Sequence, residues 1–390
     1  MDTFTTCDAL IVGGGPAGST CARALVDAGL NVIVLDRCRF PRDKVCAGWI
    51  TPQVVEEIEL DLEDYTKRGR SDRGGGRTLQ PITGFRTGII SDSQPSRDCQ
   101  EIRYHRVVSY GIRRCEFDDY LLRRSGATLQ LGQAASGIKR HGTGWIVNDT
   151  FAASLLVGAG GHFCPVAALL NPSRPQARSL VVAQEAEFEL DPSETRVFAG
   201  DPEVPELYFC PDMKGYGWCF RKGGHVNVGL GRLDRESLPK ATTDFVRFLE
   251  QTGRVPGGRS YRWKGHAYLV NAEPRRRLVD DGVMLIGDAA GLAYPQSGEG
   301  IRPAVESGML AAHTVLAAAG KYDAASLAPF GDALRTRFAP HPLVDRLSAL
   351  IPSFVVPPLA ELLLGNAAFV RHVALDRWFL HARQASLPPR

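Results

Sequence analysis

The apolar positions at the start of the chain follow a strand, turn, helix, strand rhythm. Asp8 to Val12 is a short apolar run that meets Gly13-Gly14-Gly15-Pro16-Ala17-Gly18, and apolar residues then recur at helical spacing from Ala17 to Ala28. Gly29 stops that helix, and Asn31 to Leu35 is a second, β-branched run ending in Asp36. Far downstream, Val283-Met284-Leu285-Ile286 reads as a buried strand followed by Gly287-Asp288-Ala289-Ala290-Gly291. Pro295-Gln296-Ser297-Gly298-Glu299-Gly300-Ile301 then leads into a helix rich in small residues, through Val305, Met309, Ala312 and Val315. Between these segments, Leu180 to Phe188 and Val226 to Gly231 alternate in the manner of an antiparallel sheet with one buried face. The Gly/Arg/Ser-rich stretch from Lys67 to Thr87 reads as a loop. The tail from Leu327 reads as helices apolar on one side, broken into pieces by Pro340, Pro342, Pro352, Pro357 and Pro358.

The first rhythm has chemical content. Gly13, Gly15 and Gly18 stand at GxGxxG spacing between a strand and a helix, which suits a tight turn, a close backbone approach to a pyrophosphate and tight helix–strand packing. Pro16 and Ala17 open the helix, whose N-terminus adds unpaired N–H groups and a partial positive charge. Asp36 follows Gly18 by 18 residues, close to the spacing of an acid that bonds ribose hydroxyls. Arg37 beside it suits a phosphate or solvent contact. These residues predict a dinucleotide with an unphosphorylated adenosine ribose, FAD or NAD. Downstream, Gly287-Asp288 at a strand end can hold the hydroxyls of a ribityl chain. The turn through Pro295, Gly298, Gly300 and Ile301 can aim helix N–H groups at a flavin pyrimidine ring, favouring the anionic reduced form.

Composition narrows the partners. The chain has 390 residues and a formal net charge of only +3 with its bases scattered, so no basic face marks a nucleic-acid binder. Nine cysteines is an odd number, without CxxC pairs or zinc spacing, which suggests reduced thiols in a cytoplasm. The start of the chain has no basic region before its short apolar run, unlike a signal peptide. The most apolar stretch, Phe354 to Val370, is interrupted by Pro357, Pro358, Glu361 and Asn366, so it can lie on a membrane but not span one. The expected location is cytoplasmic, with peripheral contact at the inner face of a membrane as an option.

Together Gly13 to Gly18, Asp36, Arg114-x-x-Phe117-Asp118-x-x-Leu121 and Gly287-Asp288 resemble the FAD-dependent family of aromatic hydroxylases, flavin halogenases and geranylgeranyl reductases. Phe40-Pro41-Arg42-x-Lys44-x-Cys46-x-Gly48-x-x-x-Pro52 and Gly215-Tyr216-Gly217-Trp218-Cys219-Phe220, followed by Gly229-Leu230-Gly231, resemble its geranylgeranyl reductase branch. The chain departs from the family pattern twice. Gly158-Ala159-Gly160-Gly161-His162 replaces an Asp-Gly pair used for flavin and sometimes NADPH contacts, and Arg221 stands where the branch has proline after Tyr-x-Trp-x-Phe.

The resemblance implies FAD, with electrons from NAD(P)H or another transiently bound donor, including a redox partner. It implies an α/β fold with three parts. A discontinuous Rossmann-type FAD-binding domain takes 1–70, 101–175 and 272–326; an antiparallel-sheet substrate domain takes 71–100 and 176–271; a helical C-terminal cap takes 327–390. Arg114 is expected at flavin or phosphate, Cys46 and Tyr216 as proton donors, and Trp218 and Phe220 on the substrate. Tyr216, Trp218 and Phe220 alternate, so all three face one side of their strand. The implied activity is reduction of C=C bonds in an isoprenoid or related lipid by hydride from reduced flavin. The alternative is a monooxygenase or halogenase working through a flavin hydroperoxide.

Overall fold

The computed structural model describes residues 4–67, 76–91, 100–172, 180–191, 200–270, 276–338 and 355–388. Its nucleotide half is a twisted parallel sheet. Thr5–Val12 sits between Val32–Asp36 and Phe151–Gly158, all parallel; Thr128–Leu131 extends one side and Val283–Leu285 the other. Leu10, Ile11, Leu155, Leu156 and Val157 are wholly enclosed. Strands covered on both faces read as continuous apolar runs, which is why these did not alternate. Helices Pro16–Asp27 and Ile301–Ala317 pack directly on one another. A Cβ on Gly308 would lie 2.5 Å from the Ala17 carbonyl oxygen, so only glycine allows that approach.

The second layer is a seven-stranded sheet. Its order is Lys264–Leu269, Leu180–Glu189, His225–Arg232, Gly215–Lys222, Glu206–Phe209, Gly84–Ile89, Gln100–Arg103. Every pairing is antiparallel except that of Glu206–Phe209 with Gly84–Ile89, which is parallel. Helix Leu238–Gln251 covers one face, with Phe245, Phe248 and Leu249 against Val226, Val228 and Leu230. Trp218 and Phe220 cover the other face together with Trp49. His225–Arg232 is therefore buried on both sides rather than one.

One expectation needs correction. The stretch read as a loop from Lys67 to Thr87 contains the strand Leu79–Ile82 and most of Gly84–Ile89. Its arginines and glycines masked Ile82 and Phe85, both fully buried in the core beside Trp49; residues 68–75 of that stretch lie outside the described residues. Pro357 and Pro358 mark the start of a separate piece of the tail, as expected: they stand in the first turn of Val356–Leu364, where a missing N–H leaves no carbonyl unpaired. Pro340, Pro342 and Pro352 lie outside the described residues.

The C-terminal segment wraps back onto the site. Phe379, in the π-helical turn Val370–Phe379, packs its ring 6.1 Å from Trp49 and 5.2 Å from Tyr216. Arg302, 1% exposed, anchors the chain beyond it by donating to the carbonyls of Gln384 and Ala385 while pairing with Glu306 at 2.7 Å. Among the described residues no helix is long and apolar enough to cross a membrane.

The sheet–helix seam is tight enough to test. A Cβ on Gly217 would fall 2.5 Å from a ring carbon of Phe245. Gly217→Ala is expected to destabilise the protein by about 1–3 kcal/mol through overpacking. The check is a lower urea midpoint at unchanged m.

Candidate active site

One cavity of about 570 Å³ runs between the two layers, and both Asp36 and Asp288 line it. Gly13, Gly15, Pro16, Ala17, Arg37, Arg114, Gly298, Gly300 and Ile301 share its wall with Cys46, Tyr216 and Trp218. Gly18, Gly287, Pro295 and Phe220 do not reach it. Gly18 packs so closely that a Cβ would sit 1.9 Å from the Gly13 carbonyl oxygen. Gly287, at φ +59°, lets its turn approach Ala17. Phe220 stands behind Trp49, ring centroids 6.0 Å apart, in the core and away from the cavity. The Pro295 side of the turn is exposed.

The Asp36 end suits an adenosine diphosphate. A Cβ on Gly15 would meet nothing nearer than the Arg42 guanidinium at 3.6 Å, so the glycine leaves an open cradle. The helix Pro16–Asp27 behind it has no side-chain cap on its free amides. Asp36 is held in place by accepting the N–H groups of Gly14 and Cys38, each at 2.8 Å, and keeps lone pairs for hydroxyl donors. Gly160, Gly161 and His162 line the far side, where the family has its Asp-Gly pair. The cradle, the open helix end and an acid at each end of one cavity fit FAD.

At the other end Asp288 is the centre of a charged cluster. Lys44 Nζ lies 3.7 Å and His266 Nε2 3.5 Å from its carboxylate, and Lys44 and His266 also hydrogen-bond each other. About a fifth of each side chain faces the cavity, and protein surrounds the rest. Burial alone would raise the Asp288 pKa; the His266 hydrogen bond and the Lys44 charge outweigh it and hold the carboxyl below its usual range. Burial lowers both Lys44 and His266, with Asp288 opposing.

The third wall is aromatic. Trp218 stands upright because its neighbour across the ladder is Gly229, where a Cβ would fall 2.1 Å from the indole. This gives the Gly-x-Gly segment a physical purpose. The Tyr216 hydroxyl donates to the Ser297 carbonyl, and burial keeps the phenol protonated well above its ordinary range. Arg221 folds away, donating to the Gly223 carbonyl at 2.7 Å, so its charge does not enter the cavity. Cys46 is half-buried on the wall, with Arg114 in hydrogen-bonding reach of its sulfur and the Arg114 guanidinium locked to Asp118 by two 2.8 Å bonds. All described cysteines are free thiols.

Behind Cys46 lies a polar hub that motif reading missed. Glu185 accepts the Cys46 N–H at 2.6 Å, while Asn227 accepts the Trp218 indole N–H at 2.6 Å and donates to Glu187 at 3.2 Å. Lys222, wholly enclosed, donates to Glu187 at 2.9 Å. Burial drives Glu185 up to about 7 against the pull of Lys222. Burial would raise Glu187 too, but Lys222 and Arg113 hold it down at about 2. Also missed were His266 and Tyr268, which share one face of Lys264–Leu269 through its two-residue period. Glu299 had a signal, since it stands between two glycines assigned to the cofactor.

Two consequences are measurable. Gly15→Ala fills the cradle at a backbone angle alanine tolerates (φ −75°), so the fold should persist while FAD affinity falls about tenfold or more, ~1.4 kcal/mol, in a flavin-fluorescence titration. Glu185 binds its proton more tightly folded than unfolded, so stability should fall as pH rises from 4.5 to about 7 and then level off. The decline is on the order of 3 kcal/mol. Glu185→Gln should flatten it in urea unfolding at stepped pH.

Comparison with known proteins agrees with this geometry. Residues 6–326 match the family described as FAD binding domain. Over 335 residues the chain is 30% identical to the menaquinone reductase of Mycobacterium tuberculosis, covering 80% of this chain and 77% of the relative. Over 341 residues it is 28% identical to the digeranylgeranylglycerophospholipid reductase of Methanothrix thermoacetophila, covering 81% and 79%. In fold it is similar to a geranylgeranyl bacteriochlorophyll reductase-like protein of Thermoplasma acidophilum (TM-score 0.76, 21% identity, 98% and 99% covered). A halogenase in complex with FAD shares the fold as well (TM-score 0.69, 17% identity, 99% and 87% covered). The chain belongs to the FAD-binding-domain family and is a FAD-dependent oxidoreductase of the geranylgeranyl reductase type.

Proposed function

We propose that the enzyme saturates C=C bonds in the prenyl chain of an isoprenoid lipid. The observation that carries this reading is the aromatic wall: Tyr216 and Trp218 on the cavity, backed by Trp49 and Phe379. A wall of that kind holds a long apolar chain without a charged anchor, at about 0.8 kcal/mol per buried CH₂. The lipids in the relatives' names support it, since menaquinone and digeranylgeranylglycerophospholipid both carry prenyl chains.

Bound FAD would supply the hydride, from its N5 atom. This chain's residues do the rest. An isolated alkene accepts hydride poorly, so it needs a proton donor nearby and a site from which water is excluded. Cys46, Tyr216 and Glu299 all stand on the cavity wall as groups that could hand over the proton. The aromatic wall keeps water out, and Asp288 with Lys44 and His266 would fix the ribityl chain. NAD(P)H or another redox carrier, bound transiently, would restore the reduced cofactor. The lipid would be gathered at a membrane face, and the exposed Leu359 and Leu362 of Val356–Leu364 suit such a contact.

The test is anaerobic. Chemically reduced holoenzyme is mixed with a panel of polyprenyl lipids, and flavin absorbance and product mass are followed together. Return of the oxidised spectrum with a two-hydrogen gain in mass is expected. A flavin that stays reduced until air is admitted would overturn the alkene reading in favour of oxygen chemistry.

A further inference from the structure

The helix Ile301–Ala317 starts at Gly300 and carries Pro303 in its first turn. Pro303 has no N–H, and Ala304 already donates to the Gly300 carbonyl at 3.0 Å. Of the orphan donors of the first turn, Ile301 and Arg302 are left. Glu299 engages the second of them: its Oε1 accepts from the Arg302 amide at 2.8 Å. The Arg302 amide is thus taken by a side chain of the protein itself, while Gly300 and Ile301 stay on the cavity wall as expected. A carboxyl group of the protein thus sits at the positive end of this helix, set in the cavity wall between Gly298 and Gly300.

The surroundings of that carboxyl are specific. On its own helix stand Arg302 and Glu306, and Glu306 is neutralised by Arg302 and Arg337 at 2.7 and 2.5 Å. Tyr216 faces it from the aromatic strand and Tyr294 from the preceding loop, both held neutral by burial. Across the turn, the place of a Gly300 Cβ is 3.3 Å from Asp288, whose charge Lys44 and His266 balance. Glu299 thus has the Arg302 amide and the Arg302 charge in its favour, yet burial, with Glu306 adding, pushes its pKa up to about 7. One further negative charge in the cavity would bring a proton onto it.

We propose that Glu299 is a redox-linked proton carrier, binding one proton when the FAD in this cavity is reduced and releasing it on reoxidation. On reduction by dithionite or a dihydronicotinamide, the cofactor gains two electrons and one proton, and with them one negative charge. An O–H bond forms on Glu299 with a proton from solvent, so two electrons and two protons enter together. When an acceptor removes hydride, the Glu299 O–H bond breaks and yields the second hydrogen of a two-hydrogen addition. The redox half rests on FAD binding alone; only the fate of the proton rests on the alkene reading.

The measurement is the midpoint potential of the holoenzyme across about pH 6 to 9, without lipid, for wild type and Glu299→Gln. The glutamine carbonyl can still accept from Arg302, so the helix start is preserved. Wild type should take up one proton per electron pair below about pH 7 and two above it. The variant should take up one throughout and have the more positive potential on the alkaline side. Equal slopes in the two proteins would overturn the proposal. Should the variant lose FAD, wild type decides alone, by proton uptake in weak buffer with an indicator dye while the reduced spectrum is recorded. Two protons with the spectrum of anionic reduced flavin support the proposal; one proton, or two with the neutral reduced spectrum, overturn it. Since no lipid is present, failure here and failure of alkene reduction are read separately.

Discussion

A carboxylate surrounded by protein has to be paid for with partners, and the site is organised around satisfying Asp288. A lone ion in that position would neutralise itself instead. The partners come from far away in sequence: Lys44 from the loop after the second parallel strand, and His266 from the edge strand of the other sheet. Meeting this requirement draws the loop, the sheet edge and the turn after Val283–Leu285 to one point. The two layers are fixed face to face there, and the cavity is the space left between them.

The same logic recurs one layer back. Glu185, Glu187, Lys222 and Asn227 are polar groups that satisfy one another and, through three hydrogen bonds, hold the Cys46 N–H, the Cys46 carbonyl (from Asn227) and the Trp218 indole. A network of this kind is stable only when every member is paired, so it fixes geometry more strongly than an apolar contact of the same area. The Cys46 loop and the aromatic strand thereby keep a set relation across the cavity. The Cys46 loop and the aromatic wall are parts of one rigid unit.

Much of the nucleotide half was legible because its determinants are local. Gly13 to Gly18 and Asp36 form a contiguous strand–turn–helix–strand unit, and Asp288 follows a buried strand directly. The shared face of Tyr216, Trp218 and Phe220 follows from a two-residue period, but which of them reaches the cavity does not; Trp49, distant in sequence, decides that by covering Phe220. Lys44 and His266 are 222 positions apart, and Cys46 and Asn227 are 181 apart. No spacing rule reaches that far. The strands within 76–89 were obscured by neighbouring glycine and arginine, whose composition resembles a loop, and each strand is too short to show an apolar alternation around its buried residue, Ile82 or Phe85. Glu299 was read past for the opposite reason, because the glycines on either side of it already had an assigned purpose.

The packing of Phe379 against Trp49 and Tyr216 bears on the order in which the protein is made. A chain emerging from the ribosome as far as Val283–Leu285 has every parallel strand and the whole nucleotide cradle. Its aromatic wall is still open at the back until residues 370–380 have been synthesised. The glycine cradle and Asp36 are thus complete in the chain well before the residue that closes the aromatic wall.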